Sequence, residues 1–87
     1  YFTLGVEEMN NTINAKIYPN PVSHDLNIEC ESDIKNIEIY DELGRKMISK
    51  EDNSNKTSID FSNLGNGVYI LKLRVEEGTG EFKVIKQ

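Results

Sequence analysis

The chain has 87 residues, of which 37% are hydrophobic and 29% are charged, and its formal net charge is −5 at pH 7. A chain of this length forms one domain and buries only about 60–65% of the surface that its unfolded form exposes, so we expect one thin core and modest stability. The acidic balance argues against nucleic acid and anionic membranes as partners, because binding to phosphate requires a basic patch. Cys30 is the single cysteine, which excludes an intramolecular disulfide.

The first part of the chain, residues 1–16, is polar and is predicted to be a linker, whereas residues 17–87 are predicted to form the folded domain. A short docked strand is an alternative for the first residues, because apolar side chains alternate at positions 1, 2, 4 and 6. The chain starts with Tyr1 and has no apolar run long enough for a signal peptide or a membrane span. We therefore expect it to be a piece of a longer protein.

Two prolines flank an asparagine in the stretch Tyr18-Pro19-Asn20-Pro21. Each proline fixes its own φ and favours an extended conformation in the residue before it. Because proline has no backbone N–H, this stretch cannot lie in the centre of a sheet. We predict a stiff extended corner that leads into a strand.

Apolar and polar residues alternate with a period of two along most of the remaining chain, which predicts β-strands. Such strands are predicted at residues 26–30, 37–40, 45–49, 57–61, 69–75 and 82–87. Turn-forming residues separate them at positions 32–33, 41–44, 51–56 and 76–80. Gly44 is expected to adopt a positive φ in its hairpin loop.

The most apolar segment follows the turn Leu64-Gly65-Asn66-Gly67, whose last three residues tolerate positive φ. Tyr69 comes two residues later, as in the tyrosine corner of immunoglobulin-like domains, in which the phenol OH binds backbone a few residues upstream. Short strands with turns about every ten residues are also typical of β-sandwiches. The sequence therefore predicts an all-β fold: a small antiparallel β-sandwich, immunoglobulin-like, with about seven strands.

Residues with catalytic chemistry are few. His24 lies between Ser23 and Asp25, but neighbours in an extended chain point to opposite faces and do not form a triad by adjacency. Cys30 lies on the apolar face of a predicted strand, where cysteine behaves as a small hydrophobic residue. We predict that the chain is not an enzyme and binds no cofactor.

Calcium is the one metal for which the sequence offers ligands. Residues 52–55 supply oxygen donors, and Asp41 or Asp60 could join them. The twelve-residue loop with a bidentate terminal Glu is missing, however. An ordinary polar loop is therefore the preferred interpretation, and no metal site is predicted.

Four motifs occur in the order and spacing of a known family. They are Tyr18-Pro19-Asn20-Pro21, the hairpin ΦxΦYDxxGK/R at residues 37–45 with Gly44, the LxxGxY motif of Leu64, Gly67 and Tyr69, and the closing strand Phe82-Lys83-Val84-Ile85-Lys86. On these motifs, residues 17–87 resemble the C-terminal sorting domain of the type IX secretion system of Bacteroidota. The chain departs from many relatives in ending at Gln87 and not at Lys or Arg.

The resemblance implies a secretion signal. Domains of this family end exported cargo proteins and are recognised by the type IX translocon and outer-membrane shuttle proteins. A sortase-like surface protease then cuts the linker, here within residues 1–16, and the cargo is attached to the cell surface. The implied route runs through the periplasm to the outer membrane, the cell surface or the extracellular space.

Two other functions are alternatives. One is a non-catalytic immunoglobulin-like or fibronectin-like module that binds carbohydrate or protein for a secreted enzyme, with Tyr18 and Tyr40 as candidate stacking residues. The other is a structural spacer. The titration of a sugar would separate the first of these from a secretion signal.

The closing strand is expected at a sheet edge, where its backbone could pair with a strand of a partner or of a second copy to form a homodimer. Lys83 and Lys86 then either contact a receptor or protect the edge from unspecific pairing.

Overall fold

The computed structural model describes residues 7–8, 13–76 and 78–87 of the chain. Among these residues no helix is long and apolar enough to cross a membrane. They form the strands β1 (Glu7–Glu8), β2 (Ala15–Tyr18), β3 (Asp25–Cys30), β4 (Ile34–Tyr40), β5 (Lys46–Glu51), β6 (Lys56–Asp60), β7 (Gly67–Val75) and β8 (Gly78–Lys86).

The strands form two antiparallel sheets. Sheet A has the order β1-β8-β7-β4-β5, and sheet B has the order β2-β3-β6. Buried residues of both sheets make up a single hydrophobic cluster. The prediction of an all-β fold built as a small antiparallel sandwich is confirmed.

The core lies between the sheets because the long strands alternate buried and accessible residues. In β7, Tyr69, Leu71, Leu73 and Val75 are buried, as predicted. Burying such an apolar side chain stabilises the fold by about 1.5–3 kcal/mol. The other core residues are Ile17, Val22, Leu26, Ile28, Ile34, Ile37, Ile39, Ile59, Phe61, Phe82 and Val84.

The bounds of several strands differ from the prediction. β8 begins at Gly78 and not at residue 82, because its pairing with β7 extends to the pair Val75–Gly78. The predicted turn at residues 76–80 is therefore wrong for residues 78–80, which lie in β8. Glycines in a strand are tolerated where the neighbouring strand supplies the hydrogen bonds, and this tertiary pairing overrides local propensity.

The strand β2 was not predicted. It begins at Ala15 and pairs with β3 at the edge of sheet B, directly before the prolines. An edge position agrees with the expectation that the proline stretch lies outside the centre of a sheet. The alternative of a strand at residues 1–6 lies outside the described residues.

The prediction that the closing strand forms a sheet edge is wrong. β8 pairs with β7 on one side, and on the other side Phe82 and Lys83 pair with β1. Near the end of β8, Val22 forms a parallel bridge with Lys86. Strand order depends on contacts between distant parts of the chain, which periodicity along one segment does not report.

Candidate functional site at one end of the sandwich

The loop after β2 binds the end of β8. The Asn20 side chain accepts, through Oδ1, a hydrogen bond of 2.9 Å from the backbone N–H of Ile85. The N–H of Val22 donates to the carbonyl of Ile85 at 2.8 Å, and the carbonyl of Val22 accepts from the N–H of Gln87 at 2.9 Å. Val22 is fully buried and anchors the loop in the core. The first and last sequence motifs are thus joined into one structure.

The start of β7 lies beside the end of β8. Gly67 is the pairing partner of Lys86, and Tyr69 is the partner of Val84. Among the described residues only two glycines have positive φ, and Gly67 is one of them with φ of +155°. Gly65 and Asn66 also tolerate positive φ but do not adopt it. The third motif therefore lies next to the fourth.

Tyr69 forms the predicted tyrosine corner. Its OH donates a hydrogen bond of 2.7 Å to the carbonyl of Gly65, four residues upstream. Its ring packs edge-on against Phe61, with ring centroids 5.8 Å apart and an interplanar angle of 86°. The residue is only 7% exposed, so ring packing and hydrogen bond together fix the turn before β7.

The loop between β4 and β5 is organised by Asp41. Its Oδ1 accepts hydrogen bonds from the N–H groups of Leu43 and Arg45, both at 2.9 Å, and its Oδ2 accepts one from Arg45 Nε at 2.6 Å. The Arg45 N–H is the main reason that the pKa of Asp41 lies below its usual range. Gly44 has φ of +84°, as predicted.

This hairpin loop lies at the same end of the molecule as the other motifs. Tyr40, which precedes it, pairs with Ile70 of β7. Glu42 Oε1 lies 3.8 Å from the position that a Cβ atom at Gly67 would occupy. We call the loop of residues 19–22, the hairpin loop of residues 41–45, the start of β7 and the end of β8 the motif end.

A comparison with models of protein families identifies the family of the chain. The model described as secretion system C-terminal sorting domain matches residues 16–87. The chain belongs to this family. Comparisons with curated proteins and with solved structures gave no match. The chain is thus a C-terminal sorting signal for type IX secretion, which implies interaction with the secretion machinery and export to the cell surface or the extracellular space.

The two lysines of the closing motif of the sorting domain point to opposite faces of sheet A. Lys86 belongs to the inward set of β8 and is only 8% exposed, whereas Lys83 is half-buried on the outer face. A spacing of three residues in a strand requires this, since faces alternate. Because Lys86 is buried, it does not fit the interpretation that its charge protects an exposed sheet edge from unspecific pairing.

Tyr18 and Leu64 lie beside the motif end and not within it. Tyr18 is exposed at the end of β2, and its OH donates to the carboxylate of Glu29, a contact that raises the pKa of the phenol. Leu64 is half-buried and packs against the core. The LxxGxY motif thus combines a packing residue, a glycine at positive φ and a buried tyrosine.

The two tyrosines that could stack on a sugar lie on different sheets of the sorting domain. Tyr18 belongs to sheet B, whereas the ring of Tyr40 in sheet A is covered by Lys72 Nζ, 5.1 Å from the ring centroid. They do not form a common aromatic platform, so the carbohydrate-binding alternative is not favoured.

The family of sorting domains is not catalytic. In this chain Ser23 Oγ lies 3.2 Å from His24 Nδ1 on an exposed turn, and Asp25 is instead paired with Asp60 in sheet B. Cys30 is half-buried, and its Sγ donates to the carbonyl of Asn14 at 3.3 Å.

The polar loop of residues 52–55 is organised by its own hydrogen bonds. Asp52 Oδ1 accepts from the N–H of Asn53 at 2.7 Å and from Ser54 Oγ at 2.9 Å. Over residues 13–76 and 78–87, no group of three or more His, Cys, Asp or Glu residues could hold a metal ion.

Two residues that build the motif end were not among the predicted site residues. Asp41 is signalled by the YDxxG pattern, in which an Asp before a glycine turn binds backbone N–H groups. Val22 had no such signal, because an apolar residue after a proline looks like any other strand residue. Its role depends on contacts with Ile85 and Gln87, which only the fold brings near.

Proposed function

We propose that the motif end is the surface recognised by the type IX translocon and its outer-membrane shuttle proteins. The observation that supports this is the bonding of Asn20 and Val22 to Ile85 and Gln87. These bonds, with the pairing of Gly67 and Lys86, bring the first, third and fourth motifs to one place.

A surface made of such distant segments exists only after the whole domain has folded. The hydrogen bond between Asn20 and Ile85 joins residues 65 positions apart. A receptor that binds the motif end therefore distinguishes a complete domain from a truncated or unfolded one. This property suits a signal that must be read after synthesis has ended.

The cargo is proposed to pass through the periplasm and to be separated from the sorting domain at the cell surface by a sortase-like protease that cuts within residues 1–16. We place the cut before Ala15 and outside Glu7–Glu8, because the backbones of β2 and β1 are paired with β3 and β8 and paired strands resist proteolysis. For a homodimer through an edge strand we propose β5, the terminal strand of sheet A, since β8 has β7 on one side and pairs with β1 and Val22 on the other.

The experiment is a secretion assay on a reporter cargo that carries the 87 residues at its C-terminus, in a Bacteroidota strain with a working type IX system. Asn20→Ala removes the acceptor for Ile85 at the motif end. The matched control, Ser54→Ala, removes at the opposite end the single hydroxyl donor that has two acceptors at 2.9 Å, Asp52 Oδ1 and the carbonyl of Lys56.

Both substitutions are expected to lower the free energy of unfolding by about 0.5–1.5 kcal/mol for each lost hydrogen bond. Only Asn20→Ala is expected to reduce the amount of cargo on the cell surface. An equal loss of export in the two variants would show that stability, and not the motif end, controls recognition. Normal export of Asn20→Ala would also contradict the proposal.

A further inference from the structure

Among the described residues, β6 is the terminal strand of sheet B and pairs with β3 alone. Two hydrogen bonds flank this pairing, one from the N–H of Phe61 to the carbonyl of His24 at 2.6 Å and one from the N–H of Cys30 to the carbonyl of Asn55 at 2.9 Å. Because bonded and unbonded pairs alternate along an antiparallel ladder, the odd-numbered residues of β6 bond to β3. The backbone groups that point to the free edge of β6 therefore belong to its even-numbered residues, Lys56, Ser58 and Asp60.

Two side chains occupy this free edge. Lys50 Nζ, which reaches across from β5, donates to the carbonyl of Ser58 at 3.1 Å. Ser54 Oγ has the carbonyl of Lys56 as one of its two acceptors, at 2.9 Å. A strand added to β6 needs these carbonyls as acceptors for its own N–H groups. An inward-directed charge at an edge is one of the means by which native sheets avoid such pairing.

The ammonium group of Lys50 is held beside the free edge by two further oxygen atoms. It donates to Thr57 Oγ1 at 2.9 Å and lies 4.0 Å from Asp52 Oδ2. A hydrogen bond from Thr57 is also the main reason that the pKa of Asp52 lies below its usual range. Lys50, Thr57 and Asp52 thus form a connected group that places a positive charge on the carbonyl of Ser58.

The sequence of β6 is complementary to a second copy of itself. In an antiparallel pair of β6 strands centred on Ser58, Lys56 of each copy lies opposite Asp60 of the other. The same register joins the backbone groups of the two free edges. It also keeps the exposed residues on one face and the buried Ile59 on the other. Sliding one strand by two residues loses both pairs of opposite charge.

The charges around Asp60 favour a second copy as the occupant of this edge. Within sheet B, Asp60 is the partner of Asp25, and both residues are exposed. Like charges directly opposite each other destabilise a sheet. In the register centred on Ser58, Lys56 of the second copy lies on the other side of Asp60 and offsets this repulsion.

From these contacts we propose that Lys50 is a guard residue, which keeps the free edge of β6 from pairing with β6 of a second copy. Without its ammonium group, two chains associate through their β6 strands in the register centred on Ser58. The proposal goes beyond the proposed function, which assigns recognition to the motif end. It also gives a reason for β5, and not β6, to be the edge through which a homodimer forms.

Disulfide cross-linking at position 58 tests the guard. Ser58→Cys places a thiol at the centre of the register, where Cα atoms of a bonded pair lie about 5.5 Å apart, within the range of about 4.4–6.8 Å for a disulfide. The full chain also carries Cys30→Ser, because Cys30 is the single cysteine of the sequence. After oxidation of the purified chain, Lys50→Met is expected to raise the fraction of cross-linked dimer at least about tenfold over the chain with Lys50.

Lys46→Met is the matched control, since it removes another cation of β5 that pairs with Glu38 on the outer face of sheet A. It should leave the fraction of cross-linked dimer unchanged. A folded Lys50→Met variant that cross-links no more than the control would overturn the proposal. If Lys50→Met does not fold, Lys50→Gln, which keeps a polar end without the charge, replaces it in the same comparison.

A charge exchange tests the register. Added to Lys50→Met, Asp60→Lys places two lysines opposite each other and should return the cross-linked fraction to the level of the control. Further addition of Lys56→Asp brings opposite charges together again and should restore the cross-link. Both variants lose the hydrogen bonds of Asp60 with Ser62, so a gain in stability does not account for the recovery. Cross-linking that ignores these exchanges would overturn the proposed pairing of β6 with its second copy.

Discussion

At the motif end, Asn20 and Val22 bond to the last residues of β8, across 65 positions of the chain in the case of Asn20 and Ile85. At the opposite end, the loop of residues 52–55 bonds to the connection between β3 and β4. There the N–H groups of Cys30 and Ile34 donate to carbonyls of Asn55 and Ser54, both at 2.9 Å. Of these two ends, only the motif end uses the final residues of the sequence.

This difference separates two requirements on the same small domain, stability of the fold and recognition by the secretion machinery. The proposed function assigns only a stabilising role to the contacts that close the sandwich at the opposite end. The motif end closes it with residues that are also the sequence motifs of the family. Substitutions of similar energetic cost at the two ends should therefore have similar effects on unfolding and different effects on secretion.

Deleting residues 82–87 is expected to have the largest effect, because it removes the motif end and part of the core together. Phe82 and Val84 are 2% and 0% exposed. Loss of one buried Phe side chain costs about 3–5 kcal/mol, and the whole stability of a small domain is about 5–15 kcal/mol. Thermal unfolding followed by circular dichroism should show no cooperative transition.

Cell fractionation should then find the truncated cargo in the periplasm. Removing Gln87 alone, which deletes a single hydrogen bond to Val22, is the control and should leave a cooperative transition. A deletion variant of residues 82–87 that reaches the cell surface in normal amounts would contradict both the role of β8 and the comparison of the two ends.

Substitution of Tyr69 comes next and separates packing from hydrogen bonding at the motif end. Tyr69→Ala removes the ring that packs on Phe61 and should lower the free energy of unfolding by about 3–5 kcal/mol. Tyr69→Phe removes only the hydrogen bond to Gly65 and should cost about 0.5–1.5 kcal/mol. Urea unfolding measures both, and equal losses would show that the hydrogen bond and not the ring fixes this turn.

Lys50 and Lys86 both lie on the inner side of sheet A, and their substitution compares the two ends with a smaller expected loss of stability than Tyr69→Ala. Lys50 Nζ donates to Thr57 Oγ1 at 2.9 Å and to the carbonyl of Ser58 at 3.1 Å, which links β5 to β6. Within the described ranges, Lys86 at the motif end forms no ion pair. Lys50→Met should therefore lower stability by about 1–3 kcal/mol and leave secretion normal.

Lys86→Met keeps the apolar part of the side chain and removes the charge, so its melting temperature should not fall. Its secretion should fall, because the closing motif of the signal has lost a cation. The opposite pattern, a large drop in melting temperature with normal export, would assign Lys86 to the structure and not to recognition.

How far the sequence predicts the fold depends on the range of the interactions involved. The alternation in β7 and the turn chemistry at Gly44 and Tyr69 act over a few residues, and all of them were predicted correctly. The placement of β8 between β7 and β1 was not, because it depends on pairing with β1, which lies far away in the chain.

The candidate site shows the same limit. The motifs of Asn20, Gly67 and Lys86 were recognisable one by one from the sequence. Their meeting at one end was not predicted, because the bond from Asn20 to Ile85 is a property of the folded chain. The burial of Lys86 was predictable from the alternation in β8 alone, because this alternation places Lys86 on the same face as Phe82 and Val84.

The smallest expected effect concerns pH and compares one carboxylate from each end. Hydrogen bonds from Arg45 lower the pKa of Asp41, and hydrogen bonds from Thr57 and Ser54 lower the pKa of Asp52. A folded-state pKa below the unfolded value, which is about 3.9 for Asp, gives stability that is fully present above that value. This stability is lost as the pH falls through the folded-state pKa.

Melting temperatures measured between about pH 2 and pH 6 should therefore decline less steeply on the acid side for Asp41→Asn and for Asp52→Asn than for the parent chain. Because the two residues lie at opposite ends and share no partner, their effects should add in the double variant. A double variant no different from either single variant would show that the two ends are coupled. In that case Asp41→Asn and Asp52→Asn should also affect secretion equally, and the distinction between a recognised end and a purely structural end would fail.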